Sequence, residues 1–282
     1  MEIIGPKMDF RQYGGFKGNS ICHYLIEFVN FILHEQESGS TAVLACLVDF
    51  SKAFNRQDHA ILITKLCDLG VPGWLLKLVV SFLENRKMFV RYNGEQSRMF
   101  SLPGGGPQGS LLGLFLFLVL IDGAGFDDQK NDVGNKITKK KVAELNEIHM
   151  KYIDDLSLLE SVNMNNLDQL PQTARTQPEP FRCRTGHQLV NSNSRIYSEL
   201  QNIQSYAEDN KMKLNLEKTK LMLFNPCKNK DFLPDFKIEN TQIELVEQCK
   251  LLGVVITSNL SWSENTSYIT KKCYKRMCDS EL

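Results

Sequence analysis

The chain has 282 residues, which is enough for about two domains or for one large domain with insertions. Lysine and arginine together number 33, aspartate and glutamate also number 33, and 42% of the residues are hydrophobic. This balance excludes a disordered charged tail, a coiled-coil rod and a histone-like DNA binder. A nucleic-acid partner would therefore have to be bound by local basic patches.

The cysteines and the apolar runs bear on the compartment. The eight cysteines include no CxxC pair, and a chain of this length needs no disulfide framework. We therefore expect an intracellular, reducing compartment, with nucleus and cytoplasm both open. Residues 1–10 show no signal-peptide pattern. The longest apolar run, Leu111–Ile121, is shorter than the about 20 residues of a membrane span, so we expect a buried helix and no membrane partner.

The first half of the chain alternates helical and extended patterns. Apolar residues at helical spacing predict a helix over about residues 20–35. The almost wholly apolar run Thr41–Phe50 is typical of a central strand that is buried on both faces. Further helices are predicted from Asp58 to Leu69 and from Pro72 to Glu84.

Turn signals organise the second half. Asn93-Gly94 between alternating runs predicts a hairpin, and residues 103–107 are too rich in Gly and Pro for regular structure. A strand, tight turn and strand are predicted over Ile148–Leu159, and residues 160–194 read as an excursion or insertion. A helix from Ile196 to about Ala207 and strands over about 219–224 and 250–257 complete an α+β order.

Three carboxylates are the first chemical signal. Asp49 ends the buried strand, and Asp154-Asp155 lie at the predicted hairpin turn. Adjacent carboxylates raise each other's proton affinity unless a cation neutralises them, and Mg²⁺ is commonly bound by one or two carboxylates plus substrate phosphates. Alone the Asp-Asp pair is weak, because turns favour Asp in any case. His34, His149 and His187 are further candidate metal ligands, but Cys183 and His187 are only two potential ligands with no second pair near them, so no zinc site is predicted.

A glycine-rich loop is the second signal. Gly105-Gly106-Pro107-Gln108-Gly109-Ser110 leads directly into the apolar helix. Glycines let the backbone approach a substrate closely, and a helix N-terminus favours anions. The loop is neither a Walker loop nor a GxGxxG motif. Its position between the two carboxylate segments is what makes it informative.

Together these segments resemble motifs A, B and C of reverse transcriptases, with the non-LTR (LINE-type) retrotransposon enzymes the best match. The resemblance extends over about residues 11–275. The segments that carry it are Asp49–Phe54, Gly106–Ser110 and Tyr152–Asp155, with Gln12–Gly18 similar to a fingers segment, Leu214–Lys220 similar to motif D and Leu251–Val254 similar to motif E, the primer grip.

The resemblance implies a role for each matching residue. Asp49, Asp154 and Asp155 would be the catalytic and metal-binding carboxylates for two Mg²⁺ or Mn²⁺ ions. Lys218 would donate a proton to the leaving pyrophosphate, with Lys220 as the alternative. The incoming dNTP would be bound by Phe50, Phe54, Gln108 and Gly109. Phe54 would also be the steric gate that excludes a 2′-hydroxyl. The primer grip would be formed by Leu252 and Gly253.

The resemblance also implies a fold and a domain order. The expected fold is a right-hand polymerase palm, an antiparallel sheet backed by helices, with partial fingers and little or no thumb. We expect partial fingers over residues 1–40, palm over 41–160, a loop insertion over 161–195, and the rest of the palm with the start of a thumb over 196–282. Neither an endonuclease nor an RNase H domain is recognisable.

The implied function is RNA-directed DNA polymerisation, with an RNA template, a DNA primer and dNTPs as partners. The alternative is a truncated retroelement remnant that binds nucleic acid, or serves as an interaction scaffold, without efficient catalysis. Because fingers and thumb look incomplete, we expect weak or undetectable extension by these 282 residues, restored when both parts are added. Lysine-rich runs over residues 211–230 and 271–276 are candidate phosphate contacts.

Overall fold

The structure is a computed structural model. It describes residues 4–9, 11–37, 39, 41–51, 53–125, 147–163, 194–226, 236–238 and 241–279. The predicted insertion over 161–195 lies almost entirely outside the described residues, so it stays a prediction. Part of the lysine-rich run over 211–230 also lies outside them.

The described residues form helices and strands in a mixed order that confirms the α+β class. The helices are α1 (Ile21–Gln36), α2 (His59–Asp68), α3 (Gly73–Leu83), α4 (Leu111–Ile121), α5 (Arg195–Asp209) and α6 (Ser263–Asp279). The strands are β1 (Thr41–Val48), β2 (Lys87–Met88), β3 (Arg91–Tyr92), β4 (Glu95–Gln96), β5 (Phe100–Ser101), β6 (Glu147–Tyr152), β7 (Asp155–Asn163), β8 (Lys220–Phe224), β9 (Phe236–Ile238), β10 (Thr241–Leu245), β11 (Gln248–Leu251) and β12 (Val254–Thr257).

Side-chain caps fix where three of the helices begin. The Ser20 hydroxyl accepts the backbone N–H of His23 at the start of α1. The Asp58 carboxylate accepts two backbone N–H groups in the first turn of α2, at 2.9 and 3.1 Å. The Ser110 hydroxyl accepts the N–H of Gly113 at 3.0 Å and so starts α4 directly after the glycine-rich loop. Each cap satisfies donors that a helix start leaves unpaired.

A six-stranded sheet forms the centre of the described structure, in the order β6-β7-β1-β8-β10-β9. The apolar run of β1 is an inner strand, antiparallel to both β7 and β8, as its composition predicts. Val48 pairs with Leu156 at one end of the β1–β7 ladder. Strand β10 runs parallel to β8 and antiparallel to β9, so the sheet is mixed at that edge.

Both faces of the sheet are covered. Alternate residues of β1, among them Leu44, Cys46 and Val48, pack with buried residues of α4 and α5. The intervening residues Val43 and Ala45 pack with α1 and with the β11–β12 hairpin. This alternation is the period of two that a strand imposes, and it makes β1 a rigid element buried on both sides.

One strand prediction is wrong. The run 250–257 is not a single strand, because it folds back into the β11–β12 hairpin with Leu251 paired to Val254. The turn residues Leu252 and Gly253 have positive φ values of 48° and 89°. Glycine adopts this conformation without strain. Gly253 is a single glycine inside an apolar run, and one glycine alone did not predict a turn. Strands β9 and β10 and helix α6 were also not predicted.

The predicted hairpin around Asn93-Gly94 is confirmed. Both residues have positive φ, 48° and 85°, as a tight two-residue turn requires. Among the described residues, no helix is both long enough and apolar enough to cross a bilayer.

Candidate polymerase active site

Asp49 lies one residue beyond the end of the central strand. Its backbone carbonyl accepts the N–H of Asn215 at 2.8 Å, and its own N–H donates to the Thr219 hydroxyl at 3.3 Å. Because Val48 pairs with Leu156, the antiparallel register continues to place Asp49 opposite Asp155. The sheet therefore presents these two carboxylates at the same end.

Asp154 lies in the two-residue turn between β6 and β7. Tyr152 pairs with Asp155 and closes this turn, and Ile153 has a φ of 62°. A β-branched residue rarely adopts positive φ, so the turn is strained unless surrounding contacts hold it. Asp154 is half-buried and Asp155 is exposed.

The three carboxylates interact electrostatically. Partial desolvation, and then the charges of Asp154 and Asp49, raise the pKa of Asp155 to about 6. The pKa of Asp154 is also raised, by desolvation first and by the charge of Asp49. Both pKa shifts show that negative charge is concentrated here, and a bound cation would reduce the repulsion between the carboxylates.

The described residues hold no preassembled group of three or more His, Cys, Asp or Glu side chains that could bind a metal ion. The carboxylates thus share one end of the sheet without forming a closed ligand cage. Oxygen donors of this kind still fit Mg²⁺, which usually keeps waters and binds through one or two carboxylates plus substrate phosphates. The donor chemistry is compatible with a metal site completed by substrate.

Gln12 holds the turn that carries Asp154. Its side-chain oxygen accepts the N–H groups of Ile153 and Gly14, each at 3.0 Å, and its amide lies 3.5 Å from the Ile153 carbonyl. The segment around Gln12 also pairs in parallel with β6 at Lys151. Gln12 matches the fingers segment in sequence, but its contact with Ile153 was not predicted. No local pattern marks this contact, because the two residues are 141 positions apart.

Gly14 is required by the same contact. A Cβ atom added at Gly14 would lie 2.6 Å from the Ile153 Cγ1 and 2.8 Å from its backbone nitrogen. Real Cβ atoms do not approach backbone so closely, so a side chain here would displace the turn. The glycine therefore allows the N-terminal segment to lie directly against the Asp154 turn.

The two phenylalanines of the first motif face the core to different extents. Phe50 is only 6% exposed and forms an antiparallel bridge with Leu214. Phe54 is half-buried and stacks on Phe117, with ring centroids 4.5 Å apart. Phe54 therefore combines a fixed ring orientation with partial exposure.

The glycine-rich loop is anchored to the segment that follows Phe54. The N–H of Gly106 donates to the Phe54 carbonyl at 2.8 Å, and the N–H of Gly105 donates to the Gln57 carbonyl at 2.9 Å. Gly106 is packed so tightly that an added Cβ would collide with the Gln57 side chain. The Arg86 guanidinium also donates to Gly104 O at 2.7 Å and to Gly105 O.

The end of this loop is open. Gln108 and Gly109 are both exposed, and Gly109 has a φ of 83° with no atom within 4 Å of an added Cβ. These two residues immediately precede Ser110 and helix α4. Their side chain and backbone are accessible to a ligand that approaches the N-terminus of α4.

The structure distinguishes the two lysines of the motif D segment. The Lys220 ammonium is held by Glu244, at 2.6 Å, and by the Glu217 carbonyl, at 2.7 Å. Lys218 is exposed in the preceding turn, where its backbone N–H donates to the Asn215 carbonyl. Asn215 also bonds to the backbone of Asp49, so the Lys218 turn is tied to that carboxylate.

Leu252 and Gly253 form the tip of the β11–β12 hairpin. Leu252 packs in the same apolar cluster as Tyr152 from the Asp154 turn. The charge of Asp155 contributes to a raised pKa of Cys249 on β11, although desolvation is the larger cause. This hairpin is therefore a neighbour of the carboxylates.

A buried ion cluster supports β6 and was not predicted. The Asp9 carboxylate contacts His149 Nε2 at 2.6 Å and Lys151 Nζ at 2.8 Å, and Lys151 also donates to the carbonyls of Asp122 and Ala124. Burial alone would raise the pKa of Asp9, but Lys151 and His149 outweigh it and lower that pKa. Burial lowers the pKa of His149 to about 4. The only sequence signal was a pair of alternating basic residues in an apolar strand.

Comparisons with known proteins agree with this architecture. No family model matches the chain. It is 25% identical over 270 residues to the probable RNA-directed DNA polymerase from transposon BS of Drosophila melanogaster, covering 94% of this chain and 26% of the relative. It is also 25% identical over 265 residues to the RNA-directed DNA polymerase from mobile element jockey of the same species, covering 94% of this chain and 24% of the relative.

Solved structures agree on the fold. Telomerase from Candida albicans, in complex with a fragment of telomeric RNA, matches with a TM-score of 0.51 and 12% identity over 86% of this chain and 33% of that chain. Telomerase from Candida tropicalis gives a TM-score of 0.52 and 11% identity over 88% of this chain and 34% of that chain.

The chain spans about a quarter of the length of the curated relatives it matches. The similarity covers nearly all of the chain itself, and it includes both carboxylate segments and the loop between them. The chain is therefore a homologue of RNA-directed DNA polymerases from Drosophila non-LTR mobile elements, and its fold is that of a reverse transcriptase domain.

Proposed function

We propose that the chain catalyses RNA-directed DNA synthesis by metal-dependent nucleotidyl transfer. The observation that carries this proposal is the register of β1 and β7, which pairs Val48 with Leu156 and so brings Asp49 to the same end of the sheet as Asp155 and the Asp154 turn. The raised pKa values of Asp154 and Asp155 support it, since they mark a site that favours a cation.

In this proposal the carboxylates hold the metal ions. Asp49 and Asp154 would be the principal ligands, with Asp155 beside them. A pair of divalent cations, when bound, stabilises charge on the attacking and leaving oxygens of an in-line displacement. The Gln12 contact to the turn would keep the Asp154 backbone in one position while that charge develops.

The other motif residues would bind and orient the substrates. Phe54 would exclude a 2′-hydroxyl through its stacked ring, and Gln108 with Gly109 would contact the incoming dNTP at the exposed end of the loop. Phe50 would act through its backbone beside Asp49, because its side chain is buried. The β11–β12 tip at Leu252 and Gly253 would support the primer strand.

The reaction would proceed by attack of the primer 3′ oxygen on the α-phosphorus of the dNTP, with the proton of the 3′-hydroxyl released to solvent. The bond from that phosphorus to the β-phosphate oxygen breaks, and pyrophosphate leaves. Lys218 would give a proton to the leaving group, because its ammonium is exposed whereas that of Lys220 is held by Glu244.

The test is extension of a DNA primer on an RNA template by the purified chain with dNTPs and Mg²⁺ or Mn²⁺. We expect Asp154→Asn to abolish extension, and the exposed Asp209→Asn to leave it unchanged as a matched control. Manganese binding, followed by the electron paramagnetic resonance of free Mn²⁺, provides a second measurement. Wild-type protein that neither extends a primer nor binds Mn²⁺ through Asp154 would contradict the proposal.

A further inference from the structure

Residues 87–101 form a ribbon that projects from the described structure. Its strands pair in two short antiparallel ladders, β2 with β5 and β3 with β4, and every residue in it is exposed. Each arm of this segment has about seven residues, which corresponds to roughly 20 Å of extended chain. We call residues 87–101 the ribbon.

The ribbon exposes large apolar side chains that isolated surface loops rarely carry. Tyr92 is 75% exposed, Met99 is 61% exposed and Val90 is 57% exposed. Within the described residues nothing covers them. Contiguous exposed apolar side chains mark interaction sites. The exposed apolar side chains of the ribbon are Met88, Phe89, Val90, Tyr92, Met99 and Phe100.

Cations are interleaved with these aromatic rings. Lys87, Arg91 and Arg98 belong to the ribbon, and Glu95 is its single acidic residue. The Arg91 guanidinium lies 5.8 Å from the centre of the Phe89 ring.

The base of the ribbon is fixed to the glycine-rich loop. Arg86 precedes the ribbon and donates to the carbonyls of Gly104 and Gly105, while the Arg86 carbonyl accepts the N–H of Leu102. The ribbon thus begins beside the loop that carries Gln108. Nucleic acid bound near that loop would pass the ribbon.

We propose that the ribbon is a contact surface for single-stranded nucleic acid. Bases would stack on Tyr92 and Phe89, and phosphates would contact Lys87, Arg91 and Arg98. Basic grooves lined with aromatic rings bind single strands in this way without sequence preference. The ribbon carries three cations against one carboxylate, and its base is attached to the glycine-rich loop; both observations favour an anionic strand over a protein partner.

This inference rests on the proposed function, because it identifies the bound strand as unpaired template beside the glycine-rich loop. It concerns binding and not chemistry. A catalytically inactive protein could still bind single strands through the ribbon, so the two proposals can fail separately.

The test measures binding of a fluorescein-labelled oligo(U) of about 12 nucleotides to the full chain by fluorescence anisotropy over a range of salt concentrations. The ribbon variant is Arg91→Ala with Tyr92→Ala. The matched control is Trp74→Ala with Lys77→Ala, which removes an exposed ring and an exposed cation from α3. Circular dichroism checks that both variants fold.

We expect the ribbon variant to bind oligo(U) about tenfold or more weakly, since stacking contributes about 1–3 kcal/mol per base. The slope of log affinity against log salt should fall by about 0.7 for the lost phosphate contact. The control variant should bind oligo(U) like the wild type. A blunt RNA–DNA duplex should bind the ribbon variant and the wild type equally.

Three results would overturn the inference. The first is an absence of oligo(U) binding by the wild type, and the second is equal weakening by the ribbon and control variants. The third is unchanged RNA binding by the ribbon variant, which would assign the ribbon to a protein partner. If the ribbon variant loses oligo(U) binding while the wild type neither extends a primer nor binds Mn²⁺ through Asp154, the proposed function is contradicted and this inference stands.

Discussion

The side-chain oxygen of Gln12 accepts the backbone N–H of Ile153 at 3.0 Å, and so joins the N-terminal segment to the turn that carries Asp154. Ile153 has positive φ, which an isoleucine adopts only when its surroundings impose it. The geometry of the candidate metal site therefore depends on a residue that contacts neither metal nor substrate in the proposed reaction.

We expect Gln12→Met to lower kcat for primer extension with little change in the KM for dNTP. The variant keeps the length of the side chain but leaves the Ile153 N–H without its acceptor, at a cost of about 1–3 kcal/mol. Hydrogen exchange at the Ile153 and Gly14 amides should become faster. Gln12→Glu keeps an acceptor oxygen and should restore slow exchange. Equal exchange in Gln12→Met and wild type would contradict the positioning role.

The raised pKa of Asp155 predicts a pH-dependent stability. In the folded, metal-free protein this carboxyl holds its proton up to about pH 6, whereas its ordinary pKa is 3.8. The folded state therefore binds more protons than the unfolded state between those values, and stability falls as the pH rises through them. We expect Asp155→Asn to raise the Tm above pH 6 and to have little effect near pH 4.

Thermal unfolding in the presence of a chelator measures this difference. Added Mn²⁺ should raise the Tm of the wild type more than that of Asp155→Asn, because the cation relieves repulsion only where the carboxylates remain. Asp209→Asn serves as the control for loss of an exposed carboxylate. A Tm difference independent of pH would contradict the electrostatic account.

Phe54→Val should admit ribonucleotides, because it opens space where the stacked ring now lies. The measurement is the ratio of kcat/KM for a dNTP to that for the matching rNTP. We expect this ratio to fall by about tenfold or more, on the order of 1–3 kcal/mol of discrimination for a pocket of changed size. An unchanged ratio with a lower Tm would identify Phe54 as a core residue alone.

The two lysines of the motif D segment should respond differently to substitution. Lys218→Ala is expected to lower kcat by about 10²-fold, which is the lower range for loss of a general acid. Lys220→Ala should mainly remove the ion pair with Glu244, a half-exposed contact whose loss should change the Tm little. Single-turnover extension at several pH values measures both. A larger loss of kcat in Lys220→Ala would reverse the assignment.

The elements that sequence could predict are those with a local pattern. The apolar run of β1, the Asn93-Gly94 turn and the helix after Ser110 were each indicated by residues within a short window. The β11–β12 turn was missed because Leu252 and Gly253 interrupt an apolar run without a polar residue. Strand β9, of only three residues, had too few positions to show a period.

The site was predictable to a similar extent. The segments around Asp49, Gln108 and Asp154 were found from motifs, but the contacts that hold them were not. Gln12 and Ile153 are in contact although they are 141 positions apart in the sequence, and Asp9 and His149 are in contact although they are 140 positions apart. Such contacts exist only after the N-terminal segment lies against β6, so no local pattern could reveal them.

The buried Asp9 carboxylate has a practical consequence for protein engineering. Lys151 is fully buried, and its ammonium faces Asp9. Removing one partner of a buried ion pair costs about 3–5 kcal/mol, because the other charge stays uncompensated. A minimal catalytic fragment trimmed to begin at the first predicted helix would lose Asp9 and leave that charge beneath the Asp154 turn. The shortest stable fragment must therefore retain the residues before Gln12.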